Sequence, residues 1–301
     1  MIVRSKFIQL ITLSALVVVA TVIAACSSEE EATIEKAEAS GKLVSSDWML
    51  ENLDNEDVVV VDLRKEEDYA AGHIPGAIQL TPKAVFQQED ENGVAGMLPA
   101  AAHIATALSE LGIEPSDTVV FYDSNSNLWA SRALWAMDVY GHSDSKLIDG
   151  SWNYWSANEL KTSTDVPEIT ASNYAFTAAP DLSIIAGWEE VLESVDDPSK
   201  IVCDTRSPEE FSGKDVRAAA GGHIPESSNV NWNRSVNEQG EFLPAAELRV
   251  IYEGEGIQGD KVVFTLCQTA VRATHSWFVL QELLGYETVK VYDGSWTEWG
   301  N

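Results

Sequence analysis

Cys267 and Arg272 are the residues of this sequence best placed for covalent chemistry. They lie in the run Leu266-Cys267-Gln268-Thr269-Ala270-Val271-Arg272-Ala273, after the apolar stretch 262–265 and before a helical pattern in which Trp277, Leu280 and Leu284 share a face. The reactive form of a thiol is its thiolate. A loop leading into a helix N-terminus offers that anion backbone N–H groups and the positive end of the helix dipole. Arg272 adds a positive charge at the far end of the loop. The alternative is a buried, inert cysteine, and a loop between a strand and an arginine-bearing helix is a poor place for one. In open α/β sheets this edge is also where ligands bind.

The elements that must position this loop occur twice. The strand-like runs Val58-Val59-Val60-Val61-Asp62-Leu63-Arg64 and Ile201-Val202-Cys203-Asp204-Thr205-Arg206 both end in Asp-x-Arg. Each is followed by an acidic stretch with an aromatic, then by Gly72-His73-Ile74-Pro75 or Gly222-His223-Ile224-Pro225. Gly-Ile precedes a further apolar run in each copy, and both copies close on Asp-Gly-Ser-Trp, at 149–152 and 293–296. The period is too long for a solenoid and marks a duplicated domain. Apolar strands alternating with amphipathic helices predict an α/β fold, each copy a parallel sheet with helices on both faces. The expected layout is a first domain over 42–160, a Thr/Ser/Pro-rich linker over 161–180 and a second domain over 181–301. The first copy has Asp123-Ser124-Asn125-Ser126-Asn127 where the second has the Cys267 loop. Strand alignment sets Ser124 or, one residue earlier, Asp123 opposite the cysteine, so the first copy lacks the thiol.

The Asp-x-Arg strands, the Gly-His-Ile-Pro turns, the Cys267 loop and the closing run Asp293-Gly294-Ser295-Trp296-Thr297-Glu298-Trp299 together resemble the rhodanese family, over roughly residues 42–301. The resemblance is closest to its tandem thiosulfate sulfurtransferases, in which the C-terminal domain is active and the N-terminal one has lost its cysteine. It implies a sulfurtransferase that takes a sulfane sulfur from a small-molecule donor such as thiosulfate onto Cys267 and passes the resulting persulfide sulfur to a thiophilic acceptor, cyanide or a thiol. Residues Gln268, Thr269, Ala270 and Val271 would wrap the persulfide, and no metal or organic cofactor is implied. Arg272 and Arg206 are the candidates for holding the donor's anionic group. An ion pair of Arg206 with Asp204 or Glu209 is the other reading of that residue. The family's loop usually carries glycine where this chain has Ala270. Alanine disfavours positive φ, so either the loop takes another path or the site is less active.

Three other functions compete. A phosphatase of related fold needs five residues between cysteine and arginine to surround a phosphate; here there are four. A 3-mercaptopyruvate sulfurtransferase is the nearer alternative, but that group carries a neutral threonine where this chain has Arg272. A non-enzymatic sulfur-binding module at the cell surface has Ala270 as its sole support. Cys203, inside a strand run, is expected in the core. His73 and His223 recur in both copies, including the copy without the thiol, which argues a structural role. His103, His142 and His275 lack metal-ligand spacing. Trp296 and Trp299 are expected near the site.

Composition sets the outer limits. The 301 residues, 45% hydrophobic and 22% charged, describe a folded globular protein. A net charge of −29 argues against nucleic-acid binding, since the summed field repels phosphates. Three cysteines are too few for a disulfide scaffold. Residues 1–25 read as a signal peptide: a basic start at Arg4 and Lys6, an apolar run, then Ala24-Ala25 before Cys26. That ending resembles a bacterial lipobox, which implies an acylated Cys26 followed by a polar tether to residue 41. An uncleaved membrane anchor is the other reading of the run. Either places the folded part outside the cytoplasm, held to a membrane.

Overall fold

The computed structural model describes residues 41–301; the leader, Cys26 and the tether lie outside them. The first copy contributes strands β1 (Leu43–Val44), β2 (Val58–Asp62), β3 (Ile78–Gln79), β4 (Gln88–Glu89), β5 (Ala95–Met97), β6 (Thr118–Tyr122) and β7 (Ser145–Ile148). The second contributes β8 (Ile185–Ala186), β9 (Lys200–Asp204), β10 (Ser228–Asn229), β11 (Val262–Leu266) and β12 (Val289–Tyr292). Two five-stranded parallel sheets result, ordered β1-β7-β6-β2-β3 and β8-β12-β11-β9-β10, while β4 and β5 form a small antiparallel hairpin. Strand for strand, the two orders are the same.

The central strands are apolar throughout because both faces of each sheet are covered. Alternation decides which face each residue serves. Val119 and Phe121 of β6 point into a large core, and Val120 and Tyr122 into a smaller one with Met49 and Trp155. In the second copy Val263 and Val291 enter the large core, whereas Phe264, Leu266 and Tyr292 enter a third cluster. The large core is therefore common to both copies. At its centre the helices Leu128–Val139 and Val271–Phe278 pack on one another. Leu128–Val139 is buried on nearly every side, which accounts for its lack of a polar stripe. Trp277, Leu280 and Leu284 are all buried, and the second helix runs on through a π-turn at Val279–Leu283.

The 161–180 segment is pinned to the first domain. Ser163 exchanges two 2.9 Å backbone hydrogen bonds with His73, the Ser172 N–H donates to the Ser109 carbonyl at 2.9 Å, and Tyr174 is buried with its hydroxyl 2.8 Å from His142 Nδ1. His73 and His223 stack on Tyr69 and Phe211, each with ring centroids 3.8 Å apart. Cys203 is fully buried in β9, and neither it nor Cys267 is in a disulfide.

Candidate active site

Cys267 follows β11 directly, at the carboxyl edge of the sheet. Its N–H donates to Ser295 Oγ at 3.2 Å, and its carbonyl accepts from the Trp296 N–H at 3.0 Å. The Gln268 carbonyl accepts from the Thr297 N–H at 3.0 Å and also from the Thr297 hydroxyl. The Asp-Gly-Ser-Trp turn is thus the clamp that fixes the loop. Ser295 is its pivot: held at φ 51°, it donates to the Tyr292 carbonyl at 2.8 Å while accepting from Cys267.

The first copy defines the registration. The Asp123 N–H donates to Ser151 Oγ at 2.8 Å and its carbonyl accepts from the Trp152 N–H at 3.0 Å. Asp123, rather than Ser124, is therefore the counterpart of Cys267. Its carboxylate accepts from the N–H groups of Asn125, Asn127, Trp129 and Ala130 at 2.7–3.1 Å. This is an anion seated in the mouth of a helix. In the second copy the N–H groups of residues 268–273 make no hydrogen bond to another described residue, and no side chain caps the helix.

Ala270 begins that helix at φ 60°, in the left-handed region, fully buried. The loop therefore keeps the path that glycine would take, with a strained alanine in it, and does not find another one. Val271 is the first helical residue and is buried. Gln268 donates through Nε2 to the Arg217 carbonyl at 3.2 Å.

Arg272 lies beside Glu210 and Cys267. Both its terminal nitrogens bond Glu210, at 2.6 and 2.9 Å, and its charge is further held by Cys267 beside it. Burial opposes the Glu210 carboxylate, but Arg272 outweighs it and brings the pKa down to about 2. A second arginine, Arg217, half-exposed, lies 3.6 Å from Glu210 and 2.6 Å from Asp215. Sequence reasoning missed it, because no periodicity marks the 212–221 loop.

Arg206 is placed differently from a donor-binding cation. It is buried, grips Asp204 at 2.6 Å, donates to the Gly222 carbonyl at 2.7 Å and lies over the Trp296 ring at 4.1 Å. Arg64 repeats this with Asp62, Gly72 and Trp152. Of the two readings of Arg206, the geometry is the ion pair with Asp204, which braces the turn. Trp296 abuts the Cys267 loop, whereas Trp299 lines a separate cavity. Among the described residues, no group of three or more His, Cys, Asp or Glu is arranged to hold a metal.

The first domain reaches this site. Gln87 Nε2 donates to the Thr269 carbonyl at 2.8 Å. Gly96 approaches so closely that a Cβ on it would stand 2.7 Å from Thr269 Cβ. Arg132, fully buried, donates to Asp293 at 2.7 Å, and the Leu98 N–H donates to the same carboxylate at 2.6 Å.

The two copies of one parallel sheet differ at its carboxyl edge, where the second carries a thiol with open N–H groups around it. The rhodanese-like domain profile matches residues 45–158 and 188–301, and the chain belongs to that family. A relative from Saccharopolyspora erythraea named "Putative thiosulfate sulfurtransferase" is 38% identical over 268 residues, 86% of this chain and 93% of its own length. The sulfur carrier protein TtuD of Thermus thermophilus is 38% identical over 86% of this chain and 93% of its own. The solved structure of the 3-mercaptopyruvate sulfotransferase SseA from Escherichia coli superposes with a TM-score of 0.73 at 27% identity, over 85% of this chain and 98% of that one. This protein is a tandem-domain enzyme of the sulfurtransferase class.

Proposed function

We propose that the chain moves a sulfane sulfur from thiosulfate to a thiophilic acceptor through a persulfide on Cys267. The observation that carries this is the Cys267 loop itself, whose counterpart already seats a carboxylate on four N–H groups. The Cys267 thiolate attacks the outer sulfur of thiosulfate. A sulfur–sulfur bond forms to Cys267, the donor's own sulfur–sulfur bond breaks, and sulfite leaves with the electron pair. Cyanide or a thiolate then attacks the outer persulfide sulfur, and Cys267 departs as thiolate. The cradle stabilises the anion at each stage. Arg272 and Arg217 supply positive charge for the dianionic donor.

A second donor, 3-mercaptopyruvate, is favoured by one observation: Glu210 takes up both terminal nitrogens of Arg272. Comparing kcat/KM for the two donors decides between them. Thiosulfate is expected to be the better donor, and Arg272→Thr to damage its use more than that of mercaptopyruvate. A wild-type preference for mercaptopyruvate overturns the assignment. The sequence from Arg4 to Cys26 supports export and acylation at Cys26, leaving the enzyme tethered on the periplasmic or cell-surface side of a membrane. N-terminal sequencing and lipid mass analysis of the mature protein test that: an intact Met1 on membrane-bound protein overturns it.

A further inference from the structure

We propose that the cavity of about 370 Å3 lined by Trp188, Leu192, Tyr292, Glu298 and Trp299 binds a small organic cation, an amine or quaternary ammonium group. The cavity is distinct from the Cys267 loop and the proposal does not depend on the sulfur donor. Strands β8 and β12 pair in parallel with Tyr292 beside Ala186. Trp188 and Leu192 come from the short helix after β8, and Glu298 and Trp299 from the closing helix after β12. The cavity therefore lies at the carboxyl edge of the sheet, where α/β folds admit ligands.

Its lining is unusual in two respects. Trp188 and Leu192 are 44% and 47% exposed, and with the half-buried Trp299 they leave apolar surface around one opening. Glu298 is also half-buried, yet among the described residues no lysine, arginine or histidine lies within ion-pairing distance of it. Other buried carboxylates of this structure are compensated: Asp62 has Arg64, Asp204 has Arg206, Glu210 has Arg272, Asp293 has Arg132, and Asp123 has four backbone N–H groups. Glu298 instead faces the buried Tyr292 hydroxyl and feels Asp90, Glu189 and Asp293, all acidic. Burial and this crowding raise its pKa.

A carboxylate among carboxylates, with indole and phenol rings beside it, matches one ligand chemistry. An organic cation gains from the negative faces of the rings and from the charge of Glu298 together. An anion would be repelled. A neutral apolar ligand would gain from the rings but nothing from the acidic cluster. The chain's net charge of −29 also concentrates cations at its surface.

The test is a titration of the full chain with choline, with its neutral isostere 3,3-dimethylbutanol and with butyrate, followed by the indole N–H signals of selectively labelled tryptophan. Choline is expected to shift two signals saturably in the millimolar range; Trp188→Phe and Trp299→Phe identify them by their loss. Glu298→Gln is expected to weaken choline about tenfold and to leave the isostere unchanged. Trp188→Ala is expected to weaken choline while sulfur transfer stays at the wild-type rate, which separates this site from the Cys267 reaction. Absence of saturable choline binding, or binding of the neutral isostere as tight as that of choline, overturns the proposal. So does choline binding indifferent to both Glu298→Gln and Trp188→Ala.

Discussion

Asp123 and Cys267 hold the same backbone position in the two halves of this molecule. Each N–H donates to the serine of its own Asp-Gly-Ser-Trp turn, and each carbonyl accepts from the tryptophan that follows. The duplication thus contains its own control. In one copy a carboxylate fills the cradle; in the other a buried thiol takes the same backbone position and the N–H groups are left open.

Cys267→Ser is therefore expected to abolish sulfur transfer with little change in stability, since serine is nearly isosteric and un-ionised at neutral pH. Cys203→Ser, in the core of β9, is expected to retain turnover. Mass spectrometry after thiosulfate treatment should find one added sulfur on wild type and Cys203→Ser but not on Cys267→Ser. Substantial turnover by the serine variant at 267 would remove the mechanism.

Ala270→Gly is expected to stabilise the protein by about 0.5–1 kcal/mol, because left-handed backbone costs alanine roughly 1–2 kcal/mol, partly returned as glycine's greater freedom when unfolded. Denaturant midpoints measure it, and kcat should hold or rise. A clear loss of stability would show that the methyl packs favourably enough to offset its conformation.

Arg132→Met is expected to cost about 3–5 kcal/mol, since it leaves Asp293 buried without its cation. Because Asp293 begins the turn that clamps Cys267, kcat should fall as well. The double variant Arg132→Met/Asp293→Asn should recover much of the stability. No recovery in the double variant would mean that packing, and not the buried charge, carries the cost.

His275 sits fully buried between Trp232 and Phe242, and burial drives its pKa down to about 3. The unfolded chain takes up this proton near pH 6.5, the native one only near 3, so wild-type stability should decline as pH falls between those values, by up to about 1.4 kcal/mol per unit. His275→Leu should flatten that part of the profile. Parallel curves for the two proteins would show that His275 is not held neutral.

Glu210 has the same sign at a lower pH. Its pKa of about 2 lies below the unfolded value, so the Arg272 pair stabilises the protein above about pH 4 and loses that contribution towards pH 2. The stability gap between wild type and Glu210→Gln should narrow over that interval. A gap independent of pH would assign the effect to packing.

What the sequence made legible was whatever repeats or whatever is local. The duplicated sheets, the shared histidine turns and the Cys267 loop all announce themselves within a few residues of chain. The role of Arg206 was legible too, in retrospect, because Asp62-Leu63-Arg64 repeats Asp204-Thr205-Arg206 in the copy with no thiol. Ser295 had its signal in the recurrence of Asp-Gly-Ser-Trp, but not its function, which depends on a contact 28 residues away. Gln87 and Arg217 had none. They reach the loop across 182 and 51 residues, and such contacts follow from packing rather than pattern.

The second domain expressed from residue 180 onward is expected to be less soluble and less active than the whole chain. Its large core would lose the Leu128–Val139 helix, and its loop would lose Gln87 and Gly96. Equal activity and solubility in the fragment would assign the first domain some other task.

The strap at 161–180 adds a different consequence. It is fastened to one domain along its length, and of its residues only Tyr174 and, at the margin, Phe176 enter the core that the two domains share. Covalent continuity there contributes little to holding the halves together. A protease nick in its exposed stretch should yield a non-covalent heterodimer that co-elutes as one particle and still turns over. The two halves should likewise complement each other when produced together as separate polypeptides.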